Sequence, residues 1–183
     1  MDFNKEWKIL YTMEQVFATL IATSNKVQMA GDTYCDPLTS RQYMTILAIL
    51  HLPEDETTFV NIASKLGTSK QNITQIINSL QRKEFVTIVP SPKDKRAINV
   101  RMTQTGLDTM ARCAKNVTVD YMADIFKGFT QQELDVLLKL LLKLHGFDGG
   151  KMDGFEENVQ IPNTHTEEEL REGLERFAKR RRG

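Results

Sequence analysis

The stretch "NIASKLGTSKQNITQIINSL", residues 61–80, restricts the fold more than any other part of the chain. Ile62, Ala63 and Leu66 recur at helical spacing and stop at Gly67, which can take the left-handed conformation that a helix end commonly needs. Thr68 and Gln71 stand at capping-box spacing, so the sequence predicts a new helix that begins almost without a linker. Two helices joined so tightly form a helix-turn-helix.

The second of these helices turns Ile73, Ile76, Ile77 and Leu80 inward and leaves Ser69, Lys70, Gln71, Asn72, Thr74, Gln75 and Asn78 outward. A solvated helix face usually carries Glu and Lys, which favour helix. This face has one Lys, no acid and several poor helix formers. Asn and Gln can make paired hydrogen bonds to adenine, Lys can reach guanine or phosphate, and Ser and Thr can donate to phosphate or base edges. A merely polar exposed face is the competing reading. After Lys83, "FVTIV" and "AINVRM" are β-rich runs on either side of Pro90–Arg96, the pattern of a hairpin with an extended tip. A helix-turn-helix followed directly by such a hairpin is a winged helix.

Charge is distributed to match. The chain of 183 residues has 24 Lys and Arg and 24 Asp and Glu, a net charge of zero. Between Lys65 and Arg101, however, eight bases face only Glu84 and Asp94, so this window carries +6 and the remainder −6. Clustered positive charge in a neutral chain points to a local anionic partner.

The flanks are helical. Trp7, Leu10, Phe17, Leu20 and Ile21 predict a long first helix from about Asn4 to Met29, stopping near Gly31. "LTSRQYMTILAIL" follows, capped by Thr39, with Tyr43, Ile46, Leu47 and Leu50 on one face, closed by Pro53 and the acids Glu54 to Glu56. Thr103 caps a fifth helix to about Phe126, with Leu107, Met110, Ala114, Val117 and Tyr121 inward. Thr130 and Glu133 open a sixth, "LDVLLKLLLKLH", whose leucines lie nearly all round. That helix suits a subunit interface, or else a monomer's centre between the first and fifth helices. A Gly-rich acidic linker leads to a last helix capped by Thr166 and Glu169, with an acidic start and a "KRRR" finish. Its Leu170, Leu174 and Phe177 predict a docked side. The helix would be an arm around a dimer, or a tail that contacts a partner or DNA.

Other classes fit less well. There is no Gly-rich phosphate loop, paired-carboxylate motif, or Ser/His/Asp or Cys/His signature, which argues against an enzyme. His51, His145 and His165 are scattered, so neither a structural metal nor another cofactor is expected. Cys35 and Cys113 belong to no ligand or redox motif and read as inert thiols. No long apolar stretch or signal-like N-terminus occurs, which predicts a cytoplasmic protein without a membrane partner.

From Leu38 to Gly106 the chain resembles the MarR family of bacterial winged-helix transcriptional regulators. "LTSRQYMTILAIL", "NIASKLGTSKQNITQIINSLQRKEFV" and "PSPKDKRAINVRMTQTG" carry the likeness. The most specific part is the wing signature, matched by Asp94, Arg96, Ile98, Val100, Thr103 and Gly106. The resemblance implies a mainly α fold with a small β-hairpin wing, a winged helix-turn-helix flanked by long dimerisation helices. It implies residues 1–36 as an N-terminal dimerisation helix, 37–103 as the DNA-binding module and 104–146 as C-terminal dimerisation helices; beyond His145 the likeness ends, and 147–183 read from their own residues as an acidic linker plus amphipathic helix. The function implied is sequence-specific binding of double-stranded DNA by a homodimer on a pseudo-palindromic operator, as a repressor modulated by a small ligand or other signal. An interaction module or adaptor that uses the last helix is the alternative.

Residue by residue, the resemblance places the outward residues of the fourth helix in the major groove, and Lys93, Asp94, Lys95 and Arg96 in the wing. Arg96 would enter the minor groove while Asp94 steadies it. A candidate effector crevice takes in Phe17, Tyr43, Met44 and Leu47, which also read as plain core. Two positions depart from the family. Glu84 stands where glycine usually follows the recognition helix, and Ile88 and Val89 where arginines are common on the first wing strand. Fewer phosphate contacts predict a shallower salt dependence.

Overall fold

The computed structural model describes residues 2–93, 96–150, 155 and 166–182. The fold is mainly helical with one antiparallel hairpin, as the sequence predicts. Helix α1 (Phe3–Tyr34) is capped by the Asp2 side chain, which accepts from the amides of Asn4 and Lys5. It runs past Met29, and Gly31 does not end it. Gly31 is instead the buried point where α1 meets the next helix, since a β-carbon there would stand 2.8 Å from the Ser40 hydroxyl oxygen. Helix α2 (Ser40–His51) begins with a capping box between Thr39 and Gln42 and runs through the core, burying Tyr43, Ile46, Ala48 and Ile49.

Helices α3 (Phe59–Lys65) and α4 (Lys70–Arg82) form the helix-turn-helix, with Gly67 at φ +60° between them. The expected Thr68–Gln71 box is not what forms. Ser69 caps α4 by accepting from the Asn72 amide at 3.2 Å, and Thr68 accepts from the Asn72 side chain at 3.1 Å. The cap is shifted by one residue, so that the Asn72 amide is satisfied in place of the Gln71 amide.

Strands β1 (Val86–Pro90) and β2 (Ile98–Met102) pair with Val86 opposite Met102 and Ile88 opposite Val100. This register explains the missing arginine at position 88, because Ile88 packs on the core beside fully buried Val100. A short third pairing was not visible in the sequence. Thr58 bridges Asn99, and the Val100 amide donates to the Thr57 carbonyl at 3.0 Å. The core joins α2, α3 and α4 to the hairpin and to Met110 beyond it through Ile46, Ile62, Ile73, Ile77, Leu80, Val86 and Val100.

Helix α5 (Gln104–Lys115), a π-helical segment (Asn116–Tyr121) and α6 (Met122–Ile125) follow one another where a single helix was expected. The π segment places Val117 and Tyr121 inward; Tyr121 donates to the Val27 carbonyl and stacks on Tyr34 at 5.0 Å. Helix α7 (Gln131–His145) has the predicted Thr130–Glu133 capping box and no buried residue. Within one chain it is therefore not a sandwiched central helix. Val136, Leu138, Leu140, Leu141 and Leu144 remain exposed, as do Phe3, Trp7, Leu10, Phe17 and Ile21 on α1.

Helix α8 (Glu167–Arg182) carries its predicted Thr166–Glu169 box, but of its expected docked side only Phe177 is half-buried. Leu170 and Leu174 stay 53% and 69% exposed, while Gly173 faces Val119 and the arginines face the π segment. Charge holds this helix more than apolar burial does. Among the described residues, no helix is long and apolar enough to cross a membrane.

Candidate nucleic-acid interface

The outward face of α4 is built on a rigid support. Ile73, Ile77 and Leu80 are buried beneath it, and the buried Gln42 of α2 donates to Ser79 at 3.0 Å. Lys83 closes the other end, donating to the Pro37 carbonyl at 2.8 Å and to Gln42 at 3.1 Å. Opposite this anchored side, Ser69, Lys70, Gln71, Asn72, Gln75 and Asn78 are exposed and Thr74 is half-buried. The seven residues therefore share one surface. Three of them also serve the helix: Ser69 caps it, Asn72 bonds Thr68, and Thr74 donates to the Lys70 carbonyl at 2.9 Å. No acid lies in α4, so the positive end of its dipole is uncompensated and suits an anion.

Glu84 resolves the missing glycine by taking the left-handed conformation itself, at φ +60°. Its carbonyl accepts from the Thr103 hydroxyl at 2.7 Å, and the Thr103 amide donates to the Phe85 carbonyl at 3.1 Å. The wing thus starts and ends on one clasp. At the tip, the Ser91 amide donates to Ala97 at 3.0 Å and Arg96 is exposed. Asp94 and Lys95 lie outside the described residues. Lys93 is placed differently from a side chain reaching outward. Its ammonium sits 2.9 Å from an Asp55 carboxylate oxygen and 2.7 Å from a Glu56 one. Hydrogen bonding to Lys93 holds the Asp55 carboxyl below its usual range, and Glu56, then Asp55, holds Lys93 above its own. Sequence spacing gave no sign of this pairing, because 37 residues separate Lys93 from Glu56.

One chain does not assemble the four candidate effector residues. Tyr43 is buried in the core, Met44 and Leu47 pack against it from the same helix, and Phe17 stands 69% exposed on α1. Contact between α1 and α2 is made at Gln28, Gly31 and Asp32, so Phe17 is about 16 Å along the helix from the nearest of these. Beside this junction both cysteines are buried, and the Cys113 thiol donates to the Cys35 carbonyl at 3.0 Å. Burial pushes the Cys35 thiol up to about 12 and raises Cys113 as well. No group of three or more His, Cys, Asp or Glu among the described residues is arranged to hold a metal.

A model of the MarR family matches residues 36–97, from the loop before α2 to the wing. The HTH-type transcriptional repressor NicR of Pseudomonas putida is 30% identical over 112 residues, covering 58% of this chain and 69% of NicR. The HTH-type transcriptional regulator YpoP of Bacillus subtilis is 28% identical over 139 residues, covering 75% of this chain and 94% of YpoP. A mutant MarR from E. coli, solved with operator DNA, superposes with a TM-score of 0.63 at 23% identity, covering 73% of this chain and 95% of that one. An organohalide-sensing transcriptional regulator in its 2,4-dichlorophenol-bound form gives 0.64 at 14% identity, covering 85% of each chain.

Proposed function

This chain belongs to the MarR family of winged-helix transcriptional regulators, and on that premise we propose that it binds a pseudo-palindromic operator as a homodimer and represses transcription from it. The observation that carries the reading is the acid-free outward face of α4, mounted on a buried Ile73–Ile77–Leu80 base beside the exposed Arg96 of the wing. In this reading Gln71, Asn72, Gln75 and Asn78 read bases in the major groove, and Lys70, Ser69 and Thr74 contact phosphate or base edges. Arg96 reaches the minor groove, where the potential is most negative. The exposed apolar faces of α1 and α7 support a second copy of the chain, since patches of that kind usually mark an interface. Residues 1–36 and 104–146 then serve as dimer scaffold and 37–103 as the DNA-binding module.

Ligand control belongs to the same proposal. Tyr43, Met44 and Leu47 lie on α2 near the junctions with α1 and α5, where a small apolar effector would bias the winged module against the scaffold. Phe17 would reach such a crevice from the second copy. The basic end of α8 does not favour a DNA-contacting tail. Arg180 meets Asp124 about 30 Å along the α5–α6 rod from the wing.

The test is a gel-shift titration of the chain against its own upstream DNA at two salt concentrations, with sedimentation to read the oligomeric state. Preferential, salt-sensitive binding by a dimer is expected. Affinity no better than for random duplex at low salt would end the proposal.

A further inference from the structure

We infer that Lys93 is a positioning residue that fixes the stance of the wing by bridging it to the acidic α2–α3 loop, rather than a residue that neutralises a phosphate. The inference deepens the DNA-binding reading and rests on it. An ammonium has three protons to donate, and Lys93 directs two of them to Asp55 and Glu56. Its backbone amide is held by the Ser91 hydroxyl at 3.3 Å, which sets where the side chain leaves the strand end.

The loop it reaches is the one that forms the third pairing of the wing. On the β2 side the attachment is made by the main chain: the Val100 amide donates to Thr57, and the buried Asn99 side chain donates to the Glu54 carbonyl at 3.3 Å. Arg101 adds a longer ion pair to the Glu54 carboxylate at 3.9 Å. On the side that follows β1, Lys93 makes the corresponding attachment. The loop therefore grips the hairpin at two places, along β2 and at the tip beyond β1. Without Lys93 the grip is one-sided, and two carboxylates are left unpaired beside a surface that must approach phosphates.

This accounts for a feature that the charge pattern leaves unexplained. Three consecutive acids, Glu54 to Glu56, border a DNA-binding module, and each has a carboxylate directed to a base of the wing. The positive charge that the wing offers DNA is accordingly smaller than the sequence suggests, and the depth to which Arg96 enters a groove is set by the loop.

The experiment uses full-length Lys93→Arg, Lys93→Gln, Lys93→Glu and the exchange Lys93→Glu with Glu56→Lys. Hydrogen exchange at the Val100 amide reads the grip. Fluorescence titration with a duplex from the chain's own upstream DNA, at several salt concentrations, reads binding. Lys93→Arg should match the native chain. Lys93→Gln should speed Val100 exchange and weaken binding by roughly three- to tenfold, as loss of two partly exposed ion pairs implies. Its salt slope should not change. Lys93→Glu should be weaker still, and Glu56→Lys should restore it. A Lys93→Gln slope reduced by about 0.9, with Val100 exchange unmoved and no recovery in the exchange variant, would make Lys93 a phosphate contact and overturn the inference. If the native chain shows no preference for its duplex, the DNA-binding reading fails, and Val100 exchange alone decides whether Lys93 braces the wing.

Discussion

The α-carbon of Gly106 lies against the carbonyl of Phe85: a β-carbon on residue 106 would stand 2.9 Å from the carbonyl carbon and closer still to its oxygen. Thr103 completes the contact by donating to Glu84 and accepting from the Gly106 amide at 3.0 Å. The Thr and Gly that follow the wing are thus its anchor, since they tie the end of β2 to the start of β1.

Gly106→Ala should destabilise the chain by about 2–3 kcal/mol, because the backbone on both sides must move to admit one methyl group. Thr103→Val should cost about 1 kcal/mol through the lost cap. Urea denaturation midpoints at constant slope measure both, and a Gly106→Ala midpoint equal to the native one would show that the contact yields easily.

Glu84 predicts the opposite sign. A non-glycine residue at φ +60° costs about 1–2 kcal/mol, partly offset by the greater freedom that glycine has when unfolded. Glu84→Gly should therefore stabilise the chain by about 0.5–1 kcal/mol in the same denaturation experiment. A loss of stability would mean that the Glu84 side chain makes a contribution larger than its strain.

Arg96→Ala should weaken binding to the chain's own upstream duplex by about 1–3 kcal/mol and lower the salt slope by about one. The sedimentation coefficient should not change. Unaltered affinity in the titration would remove the wing from the proposed interface.

Helix α8 should detach reversibly. Arg180 forms two hydrogen bonds of 2.7 Å with Asp124, which also accepts from Tyr34, and Arg176 pairs with Asp120 at 3.1 Å. The Arg180 hydrogen bonds, then that from Tyr34, hold the Asp124 carboxyl at about 2. A depressed carboxyl stabilises the docked state above its ordinary pKa of about 4, and that contribution is lost as pH falls from about 4 towards 2. Amide exchange in α8 should accelerate over that interval relative to α4, and also between about 0.1 and 1 M salt. Equal protection throughout would mean that Gly173 and Phe177 hold the helix instead.

Both cysteines should resist thiol reagents. Burial and the raised Cys35 and Cys113 thiols predict labelling at neutral pH only as fast as the fold opens. Reaction with an aromatic disulfide should match the rate of a model thiol only in denaturant, and fast labelling of the native chain would contradict the buried placement.

Much of this molecule is legible in the sequence by itself, wherever the controlling interactions are local. The Ile73–Leu80 stripe, the Gly67 turn, the hairpin and the caps at Thr39, Thr130 and Thr166 depend on neighbours within a few residues, and the amide-rich face of α4 follows once the stripe is known. Only the tertiary structure decided what depends on distant partners. Gly31 looks like a helix stop but is a close approach to Ser40. Ile88, read as a lost phosphate contact, packs on the core opposite Val100. Leu170 and Leu174 of α8 stay exposed while Arg176 and Arg180 find Asp120 and Asp124. The ion pairs of Lys93 with Asp55 and Glu56 form only because the fold brings the α2–α3 loop to the wing. Periodicity records which side of an element is apolar, whereas an ion pair across 37 residues exists only when the packed core has fixed both ends.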